Sequence, residues 1–265
     1  MVGRNSNIRI WSNIVAFVLT VFVNGLAGST DLLGGQVTGD ISDMFPTLVT
    51  PAGYVFTIWS VIYILLGAFV IYQALPRARG RLFQEQIGWL FVISSALNIS
   101  WLLSWQYQIF SVSVVIMFLL LASLILIYVR LEIGWRRVPT AERLAVHLPF
   151  SVYLGWITIA TIANVSVALV ALGWDRFGIS EEVWASLIIL VALVIAILVA
   201  VRRRDIAYEL VIIWAFVGIA VNQSSNLLIV ILTLASAVVV AAVTILSVLY
   251  IKKRPMEGNA GQMAP

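Results

Sequence analysis

Apolar residues fall in long, nearly unbroken runs along the chain, separated by short polar stretches. The runs cover roughly Ile10–Leu26, Tyr54–Leu75, Ile87–Trp105, Ile109–Val129, Leu148–Leu172, Val183–Val201, Leu210–Val221 and Leu227–Ile251. A helix needs about 20 mostly apolar residues to cross a hydrocarbon core about 30 Å thick. The pattern therefore predicts an all-α, polytopic membrane helical bundle of eight transmembrane helices. The fallback is seven, because Leu210–Val221 is short and spans only if Tyr208, Glu209, Asn222 and Gln223 sit at the interfaces. Barrel strands are excluded, because they alternate apolar and polar residues over about 10 positions.

Charge checks the count independently. Taken alternately, the connections are basic and then acidic or neutral. One side carries Arg4 and Arg9, then Arg77, Arg79 and Arg81, then Arg130, Arg136, Arg137 and Arg143, then Arg202, Arg203 and Arg204, then Lys252, Lys253 and Arg254. That side holds 15 of the 16 basic residues, and only Arg176 lies opposite. The other side has Asp31, Asp40, Asp43, Asp175, Glu181 and Glu182. A surplus of Lys and Arg marks cytoplasmic loops, so both termini are expected in the cytoplasm, in a bacterial cell membrane. Arg4 and Arg9 ahead of the first run, with Gly25 and Ala27 after it, also fit a cleaved signal peptide.

Composition narrows the chemistry. The chain has 265 residues, 62% of them hydrophobic and 11% charged, with a net charge of +4. Cysteine is absent and there is one histidine, which excludes disulfides, thiolate metal sites and multi-histidine metal sites. The arginines form short, separated clusters explained by topology and by anionic lipid headgroups, so no nucleic-acid partner is expected. No run carries Asp, Glu, Lys or Arg in its interior, which argues against an ion pump and against acid–base catalysis in mid-membrane. His147, beside Pro149 at the start of the fifth run, reads as an interfacial histidine.

The polar side chains within the runs are neutral, among them Ser94, Ser95, Asn98 and Ser104 in the third and Thr158, Thr161, Asn164 and Ser166 in the fifth. Asn98 and Asn164 either hydrogen-bond between helices or contact a ligand. Of the 10 tryptophans, Trp11, Trp89, Trp105, Trp135, Trp174 and Trp184 fall at run ends or in a loop, where an interfacial aromatic belt explains them. Trp59, Trp101, Trp156 and Trp214 lie deeper. Trp59 and Tyr63, four apart, share a helix face, as do Asn98 and Trp101, three apart. Indoles inside a bundle offer flat apolar walls with one N–H donor each, suited to a flat hydrophobic ligand.

These aromatics lie in segments that resemble the TspO/MBR family, the tryptophan-rich sensory proteins related to the mitochondrial translocator protein. Pro51-Ala52-Gly53-Tyr54-Val55-Phe56, followed by Trp59-Ser60-Val61-Ile62-Tyr63 and Gly67, is similar to the family's second-helix pattern P-P-x-W-x-F and W-T-x-L-Y-x-x-M-G. Ala96-Leu97-Asn98 with Trp101 resembles the third-helix A-L-N-x-x-W. Pro149, Trp156, Ala160 and Asn164 resemble the fifth-helix P-Y-L-x-W-x-x-x-A-x-x-x-N. The chain departs from the pattern at Ala52 and Tyr54, and has one residue fewer between Phe56 and Trp59. The resemblance covers roughly residues 1–172. It implies a five-helix membrane domain over 1–175, with three additional helices and a short cytoplasmic tail over 176–265. Trp156 to Asn164 and Trp214 to Asn222 have equal spacing, a two-residue echo between the parts.

The resemblance implies binding of a tetrapyrrole, sterol or other flat hydrophobic small molecule, with a porphyrin or haem as ligand rather than resident cofactor. Its site residues would be Tyr54, Trp59, Tyr63, Asn98, Trp101, Trp156 and Asn164. The expected role is sensor or carrier, with no catalytic residues and no metal site. A permease for a small apolar solute and a light-dependent porphyrin-degrading enzyme are the alternatives. Ala160 and Ala163 allow close helix contact within the protein or between copies, so the lipid bilayer and a homodimer complete the expected partners.

The first outer loop, Ala27 to Gly53, is about 27 residues long, against a median connection of about 4–6. It combines flexible glycines with Leu32, Leu33, Ile41, Met44, Phe45 and Leu48, and with three aspartates. That mixture predicts a lid over the outer mouth of the bundle. In the resembled family this loop closes the ligand pocket.

Overall fold

Chains immersed in lipid must satisfy their backbone polar groups internally, and the runs of Leu, Ile, Val and Phe do so as helices. The computed structural model describes residues 2–36 and 38–253. Eight long helices dominate the described residues: α1 Val2–Ser29, α2 Ile58–Ala74, α3 Leu90–Gln106, α4 Phe110–Arg130, α5 Leu148–Ala171, α6 Glu181–Arg202, α7 Ile206–Asn222 and α8 Leu227–Lys253. Six regions among the described residues are long and apolar enough to cross a membrane, and α3 and α7 are shorter apolar helices. Each of those two has 17 residues, about 26 Å at 1.5 Å per residue, close to the hydrocarbon thickness. Among the described residues there is no strand. The protein is an integral membrane helical bundle. Arg254, the last basic residue of the tail, lies outside the described residues.

Helix ends follow local chemistry. Ser180 caps α6 by accepting the Val183 N–H, and the Asp205 carboxylate caps α7 by accepting the N–H groups of Ala207 and Tyr208. Gly88, at φ 53°, separates the short helix Leu82–Ile87 from α3, so α3 starts at Leu90 rather than Ile87. A π-turn over Arg143–His147 leads into α5. Pro149 has no N–H to donate, and the wider turn absorbs the missing bond.

Helices α1, α2, α5, α4 and α3 pack in that order around a closed ring. Helix α7 packs on the outside of α5, α8 packs on α7, and α6 packs on α8. Two amide pairs tie α1 into the ring: Asn13 Nδ2 donates to Gln73 Oε1 at 2.8 Å, and Asn24 Nδ2 donates to Asn98 Oδ1 at 2.8 Å. Tertiary polar contacts of this kind add about 0.6–2 kcal/mol each in membranes. Large apolar side chains on the outward faces, such as Phe22, Ile64, Val191 and Val238, are exposed, as helices surrounded by lipid require. Alternation of helix direction gathers the arginine clusters at one end and the aspartates and glutamates of the other loops at the opposite end.

One sequence expectation is corrected here. Glu209 lies in the first turn of α7 and is 1% exposed, with no hydrogen-bond partner for either carboxylate oxygen among the described residues. The Asp205 cap starts the helix four residues earlier than hydropathy places it, so Glu209 is drawn into the packed bundle.

Candidate functional site

The outer segment 30–57 closes the acidic end of the ring. Its short helix, Thr38–Met44, buries Ile41 and Ser42, and Leu33, Phe45 and Leu48 pack against the core. Asp31, Asp40 and Asp43 are exposed, and so are Leu32 and Met44, which the sequence reading had placed inside. The segment is fixed from α1, where the Thr38 hydroxyl donates to the Ala27 carbonyl at 3.2 Å, and from α3 and α7. From α3, the Trp105 indole donates to the Thr38 carbonyl at 3.2 Å, and Gln106 Nε2 donates to the carbonyls of Leu33 at 2.9 Å and Gln36 at 2.8 Å. From the α7 side, Asn222 Nδ2 donates to the Thr50 carbonyl at 3.0 Å and Gln223 Nε2 to the Thr47 carbonyl at 3.1 Å. The Trp214 indole reaches the Val55 carbonyl at 3.3 Å, and the Ala52 N–H donates to the Gly218 carbonyl at 3.0 Å. That last contact needs a glycine: a Cβ at 218 would overlap Val55 Cγ2.

The segment enters α2 through a 3-10 turn, Gly53–Thr57. At three residues per turn, positions three apart are eclipsed. Phe56 and Trp59 therefore share the inward face, while Tyr54 turns away. Tyr54 is 42% exposed and meets Trp214 edge-on at 5.2 Å.

Inside the ring, Trp59 is the hub of an aromatic cluster. It stacks on Tyr63 at 5.7 Å and on Trp101 at 5.9 Å, and meets Trp156 and Tyr153 edge-on, each at 6.1 Å. Phe56 meets Trp156 edge-on at 5.6 Å. The offset and edge-on arrangements suit the ring quadrupoles and add about 0.5–1.5 kcal/mol per pair beyond burial. Between these rings and the outer segment lies a cavity of about 50 Å³. Its walls include Phe56, Trp59, Trp101, Trp105, Trp156 and Asn164, and its roof includes Thr38, Ser42 and Pro51.

The polar groups divide sharply. Asn164 accepts from the Trp101 indole at 3.3 Å and donates to Ser113 Oγ at 3.0 Å, so its amide is held at the cavity wall. Asn98 is 0% exposed and lies outside the lining. It accepts from Asn24 and donates to the Tyr153 hydroxyl at 3.1 Å, joining α1, α3 and α5. The Trp156 indole N–H is buried in the cavity wall with no partner among the described residues, and the Tyr63 hydroxyl below Trp59 is also unpartnered. A buried unpaired donor costs about 1–3 kcal/mol.

Of the seven residues singled out from sequence, Trp59, Trp101, Trp156 and Asn164 line the cavity, Tyr63 supports Trp59 from beneath, and Asn98 and Tyr54 face other partners. The sequence reading missed Phe56 and assigned Trp105 to the interfacial belt. Trp105 is buried and lies tilted against Trp101 at 6.2 Å, and the four-residue spacing of the two indoles was the available signal. Among the described residues no three His, Asp or Glu side chains gather as metal ligands. His147 stands at the arginine-rich end of α5 and is absent from the cavity lining.

No curated protein and no solved structure matches the chain. A family model described as TSPO-like protein matches residues 10–247, a range that runs through α6 and α7 and into α8. The order of the helices, the aromatic cluster on α2, α3 and α5, and a match over most of the length agree, and the chain belongs to the TSPO-like protein family.

Proposed function

We propose that this TSPO-like membrane protein binds a flat hydrophobic ligand, of the tetrapyrrole or sterol kind, within the five-helix ring and acts as its sensor or carrier. The observation that carries the reading is the indole-walled cavity with an unsatisfied Trp156 N–H under a pinned segment. Indole faces attract flat rings, and an acceptor on the ligand would satisfy the orphan donor. The lining includes no His, Cys or Met, so a porphyrin would be held by its faces and edge rather than by axial ligation of an iron.

A cavity of about 50 Å³ holds a few waters, whereas sites for drug-sized ligands are about 300–1,000 Å³. Uptake therefore requires the Thr38–Met44 roof to lift and the Trp59 cluster to part. The arginine-rich end, with both termini, faces the cytoplasm of a bacterial cell in this reading.

The test is tryptophan quenching of the purified protein in detergent by protoporphyrin IX. Saturable quenching is expected, and Trp156→Phe, which keeps an aromatic ring and loses the N–H, should weaken the affinity about five- to tenfold, the size of one hydrogen bond. Quenching no greater than that of an unrelated tryptophan-rich membrane protein in the same detergent would overturn the proposal.

A further inference from the structure

A second cavity, about 840 Å³ in volume, opens at the arginine-rich end between the α4–α5 connection and the α6–α7 turn. Arg136, Arg137, Arg143 and Arg204 line it. None of the four is in an ion pair, and the only ion pair among the described residues joins Arg81 to Glu142. His147 and Ser151 also line it and are buried, and the His147 ring makes no hydrogen bond among the described residues. Asp205 is the one acidic group in the lining, and its oxygens are already engaged. Oδ2 accepts from the Tyr128 hydroxyl at 2.9 Å, and Oδ1 accepts from the Ala207 and Tyr208 amides at 3.1 and 3.3 Å. It neutralises none of the four arginines.

The two loops that wall this cavity are locked together. Gly134, at φ 85°, brings its backbone so close to the Arg203 carbonyl that a Cβ would overlap it. The Trp135 indole donates to the Arg202 carbonyl at 2.8 Å, and the Arg203 guanidinium sits 3.5 Å from the Trp135 ring centre. Arg203 is thus used in cross-bracing, and the other four guanidiniums are left facing an open, fixed space. Gathering four unpaired cations is unfavourable unless an anion joins them. Guanidinium groups match phosphate oxygens in pairs.

We propose that this cavity binds the phosphate headgroup of an anionic phospholipid. The lipid source follows from position. The cavity sits where α4 and α6 end and α5 and α7 begin, at the edge of the apolar zone. Leu144, Leu148 and Ile206 continue its lining from the arginines toward the helices, and Leu144 and Ile206 are exposed. That gradient from cationic to apolar fits a headgroup with acyl chains attached.

The experiment is native mass spectrometry of the full-length protein in a neutral detergent, titrated with phosphatidylglycerol or phosphatidylcholine. Phosphatidylglycerol should be retained at concentrations at least about tenfold lower. Arg143→Gln/Arg204→Gln and, separately, Arg136→Gln/Arg137→Gln should each weaken its retention about ten- to thirtyfold. Arg77→Gln/Arg79→Gln, at the same end but outside the cavity, should leave retention unchanged. Should a double variant lose its monodisperse elution profile, the single variants Arg143→Gln and Arg204→Gln are read instead, with about a fivefold loss each. Equal retention of the two lipids, or equal loss in the Arg77/Arg79 variant, would overturn the proposal. Displacement of the lipid by millimolar inorganic phosphate would overturn it in favour of a soluble phosphate ligand.

Discussion

Replacing Gly218 by alanine should loosen the outer segment from α7. The added Cβ would overlap Val55 Cγ2 and stand 3.3 Å from both Val55 Cβ and Pro51 Cβ. Val55 is fully buried and β-branched, so it has one comfortable rotamer and nowhere to turn. The backbone of residues 51–55 must move instead, stretching the Ala52 to Gly218 bond and the Trp214 to Val55 bond. Overpacking of this kind costs about 1–3 kcal/mol, and weakening two hydrogen bonds adds about 1 kcal/mol more. For a chain this size the melting temperature should fall by roughly 2–4 °C per kcal/mol, read from intrinsic tryptophan fluorescence in detergent. The partner variant decides the mechanism. Val55→Ala alone leaves a small cavity and costs about 1–3 kcal/mol, but it also vacates the space the new methyl needs. Gly218→Ala/Val55→Ala should therefore be no less stable than Val55→Ala, with a coupling of about 1–3 kcal/mol between the sites. Additive losses in the double variant, or an unchanged melting temperature for Gly218→Ala, would refute the close-approach argument.

Two further outcomes follow from the polar groups. Asn98→Ala should lower stability by about 1–3 kcal/mol, since it strands the Tyr153 hydroxyl and removes the partner of Asn24. The same variant should leave porphyrin affinity in the refolded or stabilised protein within about twofold, because Asn98 is outside the cavity lining; matched loss of affinity and stability would instead make Asn98 part of the site. Burial raises the Asp205 carboxyl above its ordinary value, opposed by hydrogen bonds from Ser151, Tyr128 and the amides of Tyr208 and Ala207. A raised folded-state value means the native state binds the extra proton, so Asp205 contributes stability at acidic pH that is lost as pH rises through that value. Asp205→Asn, which keeps an N-cap acceptor, should flatten this decline in melting temperature, whereas Asp205→Ala should lower it at every pH.

The eight helices were legible because a bilayer imposes a length on apolar runs and a sign on the loops between them. Their ends were less so. Hydropathy discounts Tyr208 and Glu209, yet α7 begins before both because Asp205 Oδ1 accepts two backbone N–H groups at its N-terminus. In the site, the four-residue spacing of Trp59 and Tyr63 translated directly into stacked rings. Tyr54 did not translate, because a 3-10 turn rotates each residue further than an α-helix and exchanges Tyr54 for Phe56 on the inward face. Asn98 was ambiguous for a different reason: its partners, Asn24 and Tyr153, are 74 and 55 residues away in the chain. No local pattern distinguishes an amide that joins helices from one that awaits a ligand. The polar ends Asn222 and Gln223, read as interfacial, are the anchors of the outer segment.

The placement of those anchors indicates which part of the roof can move. The α3 set holds residues 33–38 through three side-chain hydrogen bonds, and the α7 set holds 47–55 through three side-chain bonds and one backbone bond. At about 0.5–1.5 kcal/mol net for each bond, releasing the four α7 bonds costs more than lifting Thr38–Met44, which breaks the Trp105 bond to the Thr38 carbonyl and the Thr38 hydroxyl bond to the Ala27 carbonyl; each motion also exposes one fully buried aliphatic side chain, Val55 or Ile41. Thr38, itself held by Trp105 and Ala27, and Ser42 roof the cavity, while Asp40 and Asp43 between the anchors are already solvated. The inexpensive motion therefore lifts Thr38–Met44 while Pro51–Val55 stays docked on α7. Two bonds of this size correspond to about 1–3 kcal/mol, and an open state populated at about 0.1–10% is the range in which a ligand selects a minor conformation. Helix α7 then belongs to the fixed frame of the proposed site as much as the ring does: it holds the hinge side of the roof, and entry of the proposed ligand would break the Thr38 contacts to α3 and α1 and part the Trp59 cluster.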